Sequence, residues 1–148
     1  MITLTIPGKP LGKQRPRMTR GGHVYTPQQT VNYEVQIKEA FRAEYPDFVP
    51  MDGPVLMTVT ALFPIPKSAS KKKRFEMLAG RVWPTKKPDF DNIIKVVSDS
   101  LNGMAYDDDK QIVQLMGTKR YAEVPGIIIN IGPINCGTEE QDEYPRES

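Results

Sequence analysis

Cysteine and histidine are almost absent from this chain of 148 residues, and their scarcity excludes several kinds of site. The one cysteine, Cys136, has no partner for an internal disulfide bond, and the one histidine, His23, cannot build a His/Cys zinc cluster. His23 lies in the loop of residues 8–25, which we call the basic loop. A lone histidine in such a loop more often contacts phosphate or solvent than takes part in catalysis. Any metal ion must therefore be held by oxygen ligands, which Mg²⁺ and Mn²⁺ prefer.

Long apolar runs are also missing, since no stretch approaches the roughly eighteen apolar residues of a membrane-spanning helix. The first residues alternate apolar and polar side chains and lack the charged head and apolar core of a signal peptide. We expect a soluble, intracellular protein located in the cytoplasm. With 39% apolar residues, the chain is sufficient for one domain with a single core.

The net charge of +2 hides an uneven distribution along the chain. Basic residues concentrate in the first twenty positions and again in residues 67–87, where Glu76 is the only acid. The end of the chain is acidic and has little to pack. We therefore predict a folded domain over residues 1–135 and a disordered acidic tail over residues 136–148.

Hydrophobic periodicity predicts an α/β (α+β) domain with a small mixed sheet. Strands are expected over residues 2–7, 54–65, 112–121 and 126–131, the last two paired antiparallel through a turn at Pro125-Gly126. A helix is expected to begin with Thr26 as N-cap and end near Tyr45, with an apolar stripe of Val31, Val35, Ile37, Ala40, Phe41 and Tyr45.

Two further helices are predicted between the second and third strands. A short basic helix over residues 71–79 is capped by Ser70 and closed by Gly80. The clearest helix covers residues 91–102, with Ile93, Val97 and Leu101 on an apolar side. Its polar side carries Asp91, Asn92, Lys95, Asp99 and Asn102.

The hexapeptide Lys87-Pro-Asp-Phe-Asp-Asn92 places two acids at the start of that helix. Pro88 favours extended backbone, in which residues two apart face the same way, so Asp89 and Asp91 are predicted to converge on one point. Asp91 is also expected to be held by backbone N–H groups at the helix start. An EF-hand is excluded, because counting from Asp89 puts Ile94 where glycine is needed and Ser100 where glutamate is needed.

A second acidic cluster, Asp107-Asp108-Asp109, follows the helix. The intervening loop is long enough to bring these acids back toward Asp91. Carboxylates gathered in this way repel one another unless a cation is present, and Mg²⁺ is typically held by few carboxylates plus water and substrate phosphate. A metal site for phosphodiester hydrolysis is the chemistry that this pattern favours.

Lys87-Pro-Asp-Phe-Asp-Asn-Ile-Ile-Lys95, with Asp99, Leu101-Asn-Gly103 and Asp108-Asp-Lys-Gln-Ile-Val113, resembles the RusA family of Holliday junction resolvases, common in phages and prophages. The N-terminal Gly-Lys-x-Arg-Pro-Arg and Tyr25-Thr-Pro27 elements resemble one branch of it. The resemblance implies a Mg²⁺-dependent homodimer that cuts four-way DNA junctions in recombination and repair. It also implies that Asp89, Asp91 and Asp109 are the catalytic, metal-binding acids and that Lys95 is the essential lysine. Asp109 is preferred to its neighbour Asp108, a second candidate ligand, from its distance to Gln111.

Each of these residues also has a plainer interpretation. Lys95 has the spacing of an ordinary helical ion pair with Asp91 or Asp99, and Asp99 and Asn102 are interpreted as supporting groups. Trp83 and Phe90 either pack or stack on bases near a branch point, and packing is the more common role. The basic stretches are expected to bind DNA phosphates through Lys13, Arg15, Arg17, Lys71, Lys72, Lys73, Arg74, Lys86 and Lys87.

Two other functions remain open from the sequence. A non-catalytic nucleic-acid binder would bind in a salt-sensitive way and cut nothing, but it gains nothing from carboxylates beside its phosphate-binding surface. A metal-dependent nuclease acting on flaps, replication forks or RNA would share the same acids. Only a comparison of substrates separates it from a junction resolvase.

Overall fold

The computed structural model describes residues 1–134, so the predicted acidic tail and Cys136 lie outside the described residues. The elements in chain order are β1 (Ile2–Pro7), β2 (Arg17–Met18), β3 (Val24–Tyr25), α1 (Gln28–Glu44), β4 (Val55–Pro64), α2 (Lys71–Leu78), α3 (Phe90–Ser100), the one-turn 3₁₀ helix η1 (Asp109–Gln111), β5 (Ile112–Ala122) and β6 (Gly126–Pro133). This mixed α+β domain confirms the predicted fold class. No helix among the described residues is long and apolar enough to cross a membrane.

The four long strands form one mixed sheet in the order β1-β6-β4-β5. β6 pairs antiparallel with both β1 and β4, while β5 pairs parallel with β4. The predicted pairing of β5 with β6 is therefore wrong. β4 lies between them and pairs with both, which makes it a central strand.

The core fills the space between one face of the sheet and helices α1 and α3. Alternate residues of β4, including Val55, Met57 and Val59, are buried there, as are Ile93, Val97 and Leu101 of α3. These contacts confirm the apolar faces predicted for both elements. Burial of these side chains away from water is the main favourable term that holds the helices on the sheet.

Helix α1 buries part of the predicted face, since Ile37 and Phe41 lie in the core as expected. Thr30, Tyr33, Ile37 and Phe41 are its buried residues, whereas Val31 and Val35 are exposed. The predicted cap is also wrong, since Pro27 and not Thr26 occupies the N-cap position. Thr30 is buried because its hydroxyl accepts a hydrogen bond from the Gln14 N–H of the basic loop, which a hydrophobic pattern does not reveal.

The connection between the parallel strands β4 and β5 contains both α2 and α3. Helix α2 begins as predicted, because the Ser70 hydroxyl accepts a hydrogen bond from the Lys73 N–H. Gly80 follows it with a φ of +77°, a backbone conformation that glycine adopts without steric cost. This crossover carries the acidic hexapeptide to the first turn of α3.

Candidate active site

Asp89 and Asp91 flank the start of α3 in two different backbone conformations. Asp89 is the N-cap residue with extended backbone, and its carbonyl accepts the Asn92 and Ile93 N–H groups. Asp91 already lies in the first helical turn. The prediction of extended backbone from Asp89 to Asp91 is therefore wrong. The prediction that backbone N–H groups at the helix start hold the Asp91 side chain is also wrong, since no side chain makes a capping hydrogen bond there. Both carboxylates stay exposed and available.

The two acids nevertheless line one cavity of about 260 Å³. The remaining lining is mostly basic or polar: Lys13, Gln14, Arg15, Pro16, Asn92 and Lys95. A neighbouring cavity of about 490 Å³ shares Asp89 and Lys13 and adds Lys9 and Lys87. An acidic pair therefore faces a positively charged surface, an arrangement suited to a metal ion together with a phosphate group.

The basic loop reaches the acids because Gly12 packs directly against the start of α3. A Cβ on Gly12 would lie only 2.9 Å from the Cβ atoms of both Asn92 and Pro88. The Lys13 N–H donates a hydrogen bond of 2.9 Å to the Asn92 carbonyl next to this contact. Residues 12 and 13 are thus held beside the acids by close backbone packing.

Lys13 connects three elements through its ammonium group. It lies 2.5 Å from Oδ2 of Asp99 on α3 and 3.5 Å from Oε1 of Glu34 on α1. The hydrogen bond that Lys13 donates to Asp99 raises the pKa of Lys13, against a smaller opposing effect of burial. Lys13 was predicted to bind DNA phosphate, and here its charge already meets two carboxylates.

The second acidic cluster is held by two amide side chains. The Gln111 Oε1 atom accepts the N–H groups of Asp107 and Asp108, and its Nε2 donates to the carbonyls of Met51 and Gly53. The Asp109 N–H donates a hydrogen bond of 2.8 Å to Oδ1 of Asn102, just beyond the end of α3. Asn102 thus couples Asp109 to helix α3, whose N-cap residue is Asp89.

Asp108 and Asp109 differ in how their carboxylates are used. Asp108 caps η1 by accepting the Lys110 N–H, and this hydrogen bond lowers the pKa of Asp108. The hydrogen bond shared with Asp108 raises the pKa of Asp109, and burial and repulsion from Asp108 and Asp99 add to the effect. Asp109 is the member of the pair that is not committed to a cap.

The structure does not gather the three predicted catalytic acids into one cluster. Within residues 1–134, no group of three or more histidine, cysteine, aspartate or glutamate side chains is placed to hold a metal ion. Asp109 is not among the residues lining the cavity of Asp89 and Asp91. Helix α3 lies between the two acidic groups, with Asp89 and Asp91 at its start and Asp109 hydrogen-bonded to Asn102 just beyond its end.

The predicted basic residues divide by position. Arg15 lines both cavities and Lys87 lines the larger one, whereas Lys86 and residues 71–74 are exposed and line neither. Arg17 lies in the β2–β3 ribbon, which the sequence did not predict. Lys95 forms no ion pair among the described residues, so the alternative that it pairs with Asp91 or Asp99 along the helix is not observed.

Sequence reasoning missed two residues that hold the acidic segment in place. The Lys119 ammonium donates to the carbonyls of Lys86 and Pro88 at 2.7 and 3.1 Å, immediately before Asp89. Gly117, on the same strand, leaves the space into which the Phe90 ring packs. A glycine inside a strand often marks a close approach by another group, so Gly117 was the one detectable signal.

Exposed acids in a basic cavity of a small α+β domain suit a ligand that carries phosphate, and comparison with known proteins specifies the family. The model of the family Endodeoxyribonuclease RusA matches residues 7–132. The chain belongs to the RusA endodeoxyribonuclease family, nucleases that act on branched DNA junctions. It is also 35% identical over 140 residues to Uncharacterized protein YqaN of Bacillus subtilis (strain 168), covering 91% of this chain and 98% of that protein.

Proposed function

We propose that this chain is a Mg²⁺-dependent endonuclease that resolves four-way DNA junctions as a homodimer in recombination and repair. One observation carries the proposal: Asp89 and Asp91 share a cavity with Lys13, Arg15 and Lys95, inside the segment that matches the nuclease family. Paired carboxylates beside cationic groups suit a phosphodiester substrate, since the cations attract phosphate and the acids hold a metal ion.

The donor set fits Mg²⁺, with Mn²⁺ as a substitute. Asp89 and Asp91 would hold the ion, because Mg²⁺ is usually bound by one or two carboxylates and completes its shell with water and substrate phosphate. The bound ion would activate a water molecule and offset charge on the leaving oxygen. Asp109 is the third acid of the proposal, preferred to Asp108 because the Asp108 carboxylate already caps η1.

The basic residues of the cavity have separate roles in this proposal. Lys95 lies one helical turn after Asp91, is exposed, and makes no ion pair among the described residues, so its ammonium is available for the scissile phosphate. Arg15 and Lys87 neutralise flanking phosphates from the two cavities. The exposed residues 71–74 of α2 extend the positive surface along the DNA.

The homodimer is supported by the exposed edge strand β5. It forms one edge of the sheet and exposes three apolar side chains, Val113 at 62%, Leu115 at 46% and Met116 at 61%. A second copy pairing antiparallel about a two-fold axis near Leu115 would cover these side chains, and this register would place Lys119 and Arg120 of the two copies at opposite ends of the paired strands. Two copies related by a two-fold axis suit a junction that is cut on two symmetric strands.

The proposal is tested by cleavage of a synthetic four-way junction in Mg²⁺, Ca²⁺ and EDTA. Wild-type protein should cut in Mg²⁺, bind with little cutting in Ca²⁺, and be inactive in EDTA. Asp91→Asn should lose cutting by at least about a hundredfold while it still binds the junction, because binding depends mainly on the cations. Asp107→Asn is the matched control, since the Asp107 carboxylate makes no hydrogen bond or ion pair among the described residues and does not line the cavity.

Linear duplex, flap, fork and RNA substrates of equal length separate the remaining possibilities. Preference for flaps, forks or RNA over the four-way junction would contradict the proposed substrate. Salt-sensitive binding without cutting under any divalent ion would contradict the enzyme and favour a binding protein. Full Mg²⁺-dependent cutting by folded Asp91→Asn would show that the metal site is wrongly assigned.

A further inference from the structure

Two aromatic rings near helix α2 are exposed to solvent. Phe75 is 63% exposed and Trp83 is 51% exposed, whereas Phe41, Phe63 and Tyr106 are buried in the core. Large aromatic side chains are usually mostly buried, and neighbouring exposed rings commonly mark a binding surface. These two rings are therefore poorly explained by packing, the role that is more common for such residues.

A guanidinium group covers part of each ring. The Arg81 guanidinium lies 5.7 Å from the centre of the Phe75 ring, and that of Arg120 lies 5.4 Å from the centre of the Trp83 ring. Both distances are within the range of cation–π attraction. The arginines hold the rings in defined orientations while leaving half or more of each side chain accessible.

Gly80 lies close to an arginine of each pair. This residue precedes Arg81, and a Cβ added to it would lie 3.1 Å from the Nη2 atom of Arg120. The guanidinium of Arg120 therefore lies close to the residue that precedes Arg81, which brings the two pairs near each other. Four side chains form what we call the aromatic patch: Phe75, Arg81, Trp83 and Arg120.

The charge around the aromatic patch selects its ligand. Residues 71–74 of α2 are all basic, and within residues 1–134 only Arg74 of this helix is paired, at 3.6 Å from Glu123. A surface with flat apolar faces and excess positive charge suits a polyanion that also presents flat faces. Single-stranded nucleic acid has both features, and stacking of bases on aromatic and arginine side chains is its common mode of binding.

The aromatic patch lies across strand β5 from the acidic cavity. Successive residues of a strand face opposite sides, so Arg120 faces Trp83 while Lys119 reaches the carbonyl of Pro88 beside Asp89. Residues 84–88 join the two sites directly. DNA with its backbone in the cavity would thus have to bend around β5 at Lys119 and Arg120, beyond the residues proposed for the dimer, to place bases on the aromatic patch.

We infer that the aromatic patch binds unpaired nucleobases of the branched DNA substrate, stacked on Trp83 and Phe75. This inference rests on the proposed function, since it assumes that DNA occupies the acidic cavity. The patch would give the nuclease a preference for DNA with bases freed at a branch point over continuous duplex. Binding there is separate from the metal-dependent step.

Trp83 is the only tryptophan in the chain, so its fluorescence reports directly on the aromatic patch. The wild-type protein is titrated in Ca²⁺ with oligothymidine, a four-way junction and a linear duplex. Quenching of the Trp83 emission by the first two, with little change from duplex at equal occupancy, is expected. Binding is followed in parallel by the anisotropy of labelled DNA.

Two substitutions separate stacking from structure. Trp83→Ala should weaken binding of oligothymidine and the junction about tenfold, and Trp83→Phe should restore most of it, because phenylalanine keeps a flat ring on which a base can stack. Val49→Ala, which removes an apolar side chain that is 79% exposed in the loop after α1, should bind like wild type. Thermal unfolding of each variant shows that the domain remains folded.

The results distinguish failure of this inference from failure of the proposed function. Equal affinity of wild type and folded Trp83→Ala for both open substrates, with unchanged emission on binding, would overturn the role of the aromatic patch and favour another occupant such as a protein. Cutting of the junction in Mg²⁺ is measured separately. Its absence in wild type would overturn the nuclease proposal even if Trp83 is quenched by DNA.

Discussion

The ring of Phe90 occupies the space that a side chain at position 117 would need. A Cβ placed on Gly117 would overlap Cε1 and Cζ of that ring. Phe90 is the first residue of α3, between Asp89 and Asp91, so this contact holds the acidic turn against β5. The position of both acids therefore depends on the absence of one methyl group in the neighbouring strand.

Gly117→Ala is expected to destabilise the protein by about 1–3 kcal/mol, the usual cost of forcing extra volume into a packed contact. The substitution should also reduce Mg²⁺-dependent cleavage, since the start of α3 must move away from the strand. Denaturant unfolding measures the first effect and junction cleavage the second.

A double-mutant cycle with Phe90→Ala isolates the Phe90–Gly117 contact. In the Phe90→Ala background, Gly117→Ala should lower the free energy of unfolding much less than it does in wild type, because the added methyl group then has room. Gly21→Ala is the control, since a Cβ there meets only the Thr19 hydroxyl at 3.9 Å. An equal cost in both backgrounds would show that the ring is not the cause.

Lys13→Met is expected to lower stability near neutral pH by about 1 kcal/mol or less, the value typical of partly exposed ion pairs. The hydrogen bond that Lys13 donates to Asp99 raises the Lys13 pKa above its ordinary 10.5, so protonation of the amine favours folding. That contribution is complete below the ordinary lysine pKa and is lost as the pH rises through the raised value.

The difference in unfolding free energy between wild type and Lys13→Met should therefore stay constant at neutral pH and shrink only in strongly alkaline solution. Denaturant melts across this range measure it. Lys9→Met, which removes an exposed neighbouring lysine, should show no such pH dependence. A difference that grows as the solution becomes alkaline would contradict the assignment.

Asn102→Ala is expected to raise the Mg²⁺ concentration needed for half-maximal cleavage by about tenfold, the low end for loss of a group that orients a ligand. The substitution removes the acceptor of the Asp109 N–H and so frees the acid from α3. Metal titration of junction cleavage gives the value. Asn32→Ala, on the exposed surface of α1, is the control, and an unchanged metal requirement in Asn102→Ala would argue against Asp109 as a ligand.

Met116→Lys is expected to convert the proposed homodimer to monomer at protein concentrations where the wild type is dimeric. A charge placed on the exposed β5 edge disfavours pairing with another strand. Sedimentation velocity measures the mass in solution. Val49→Lys introduces the same charge in the loop after α1 and should leave the dimer intact, and a Met116→Lys dimer of unchanged affinity would exclude this edge as the interface.

Much of the local structure could be predicted because each element carries its own periodicity. The alternation in β1 and β4 and the apolar face of α3 are properties of neighbouring residues, and the structure confirms them. The pairing of β5 with β4 is a different kind of fact. It depends on contacts between residues 57 or 58 positions apart, which a pattern within either strand does not contain.

The candidate site shows the same division. Asp89 and Asp91 could be selected from their spacing, but their shared cavity is closed by Lys13 and Arg15 from a distant loop. A spacing of two residues points Asp89 and Asp91 the same way only in extended backbone, whereas the helix starts one residue before Asp91. Asp109 was expected beside the first two acids, and its participation stays a prediction.

Strand β6 is the last element of the described chain, yet it lies between β1 and β4 and is the only partner of β1 in the sheet. During synthesis, β1 therefore remains without its partner in the sheet until residues 126–133 have been made. Fragments that end before Gly126 would leave β1 without a partner and one flank of β4 bare. The sheet can therefore be completed only after β6 has been synthesised. A product truncated before β6 would contain the acids but not the complete sheet on which helix α3 packs.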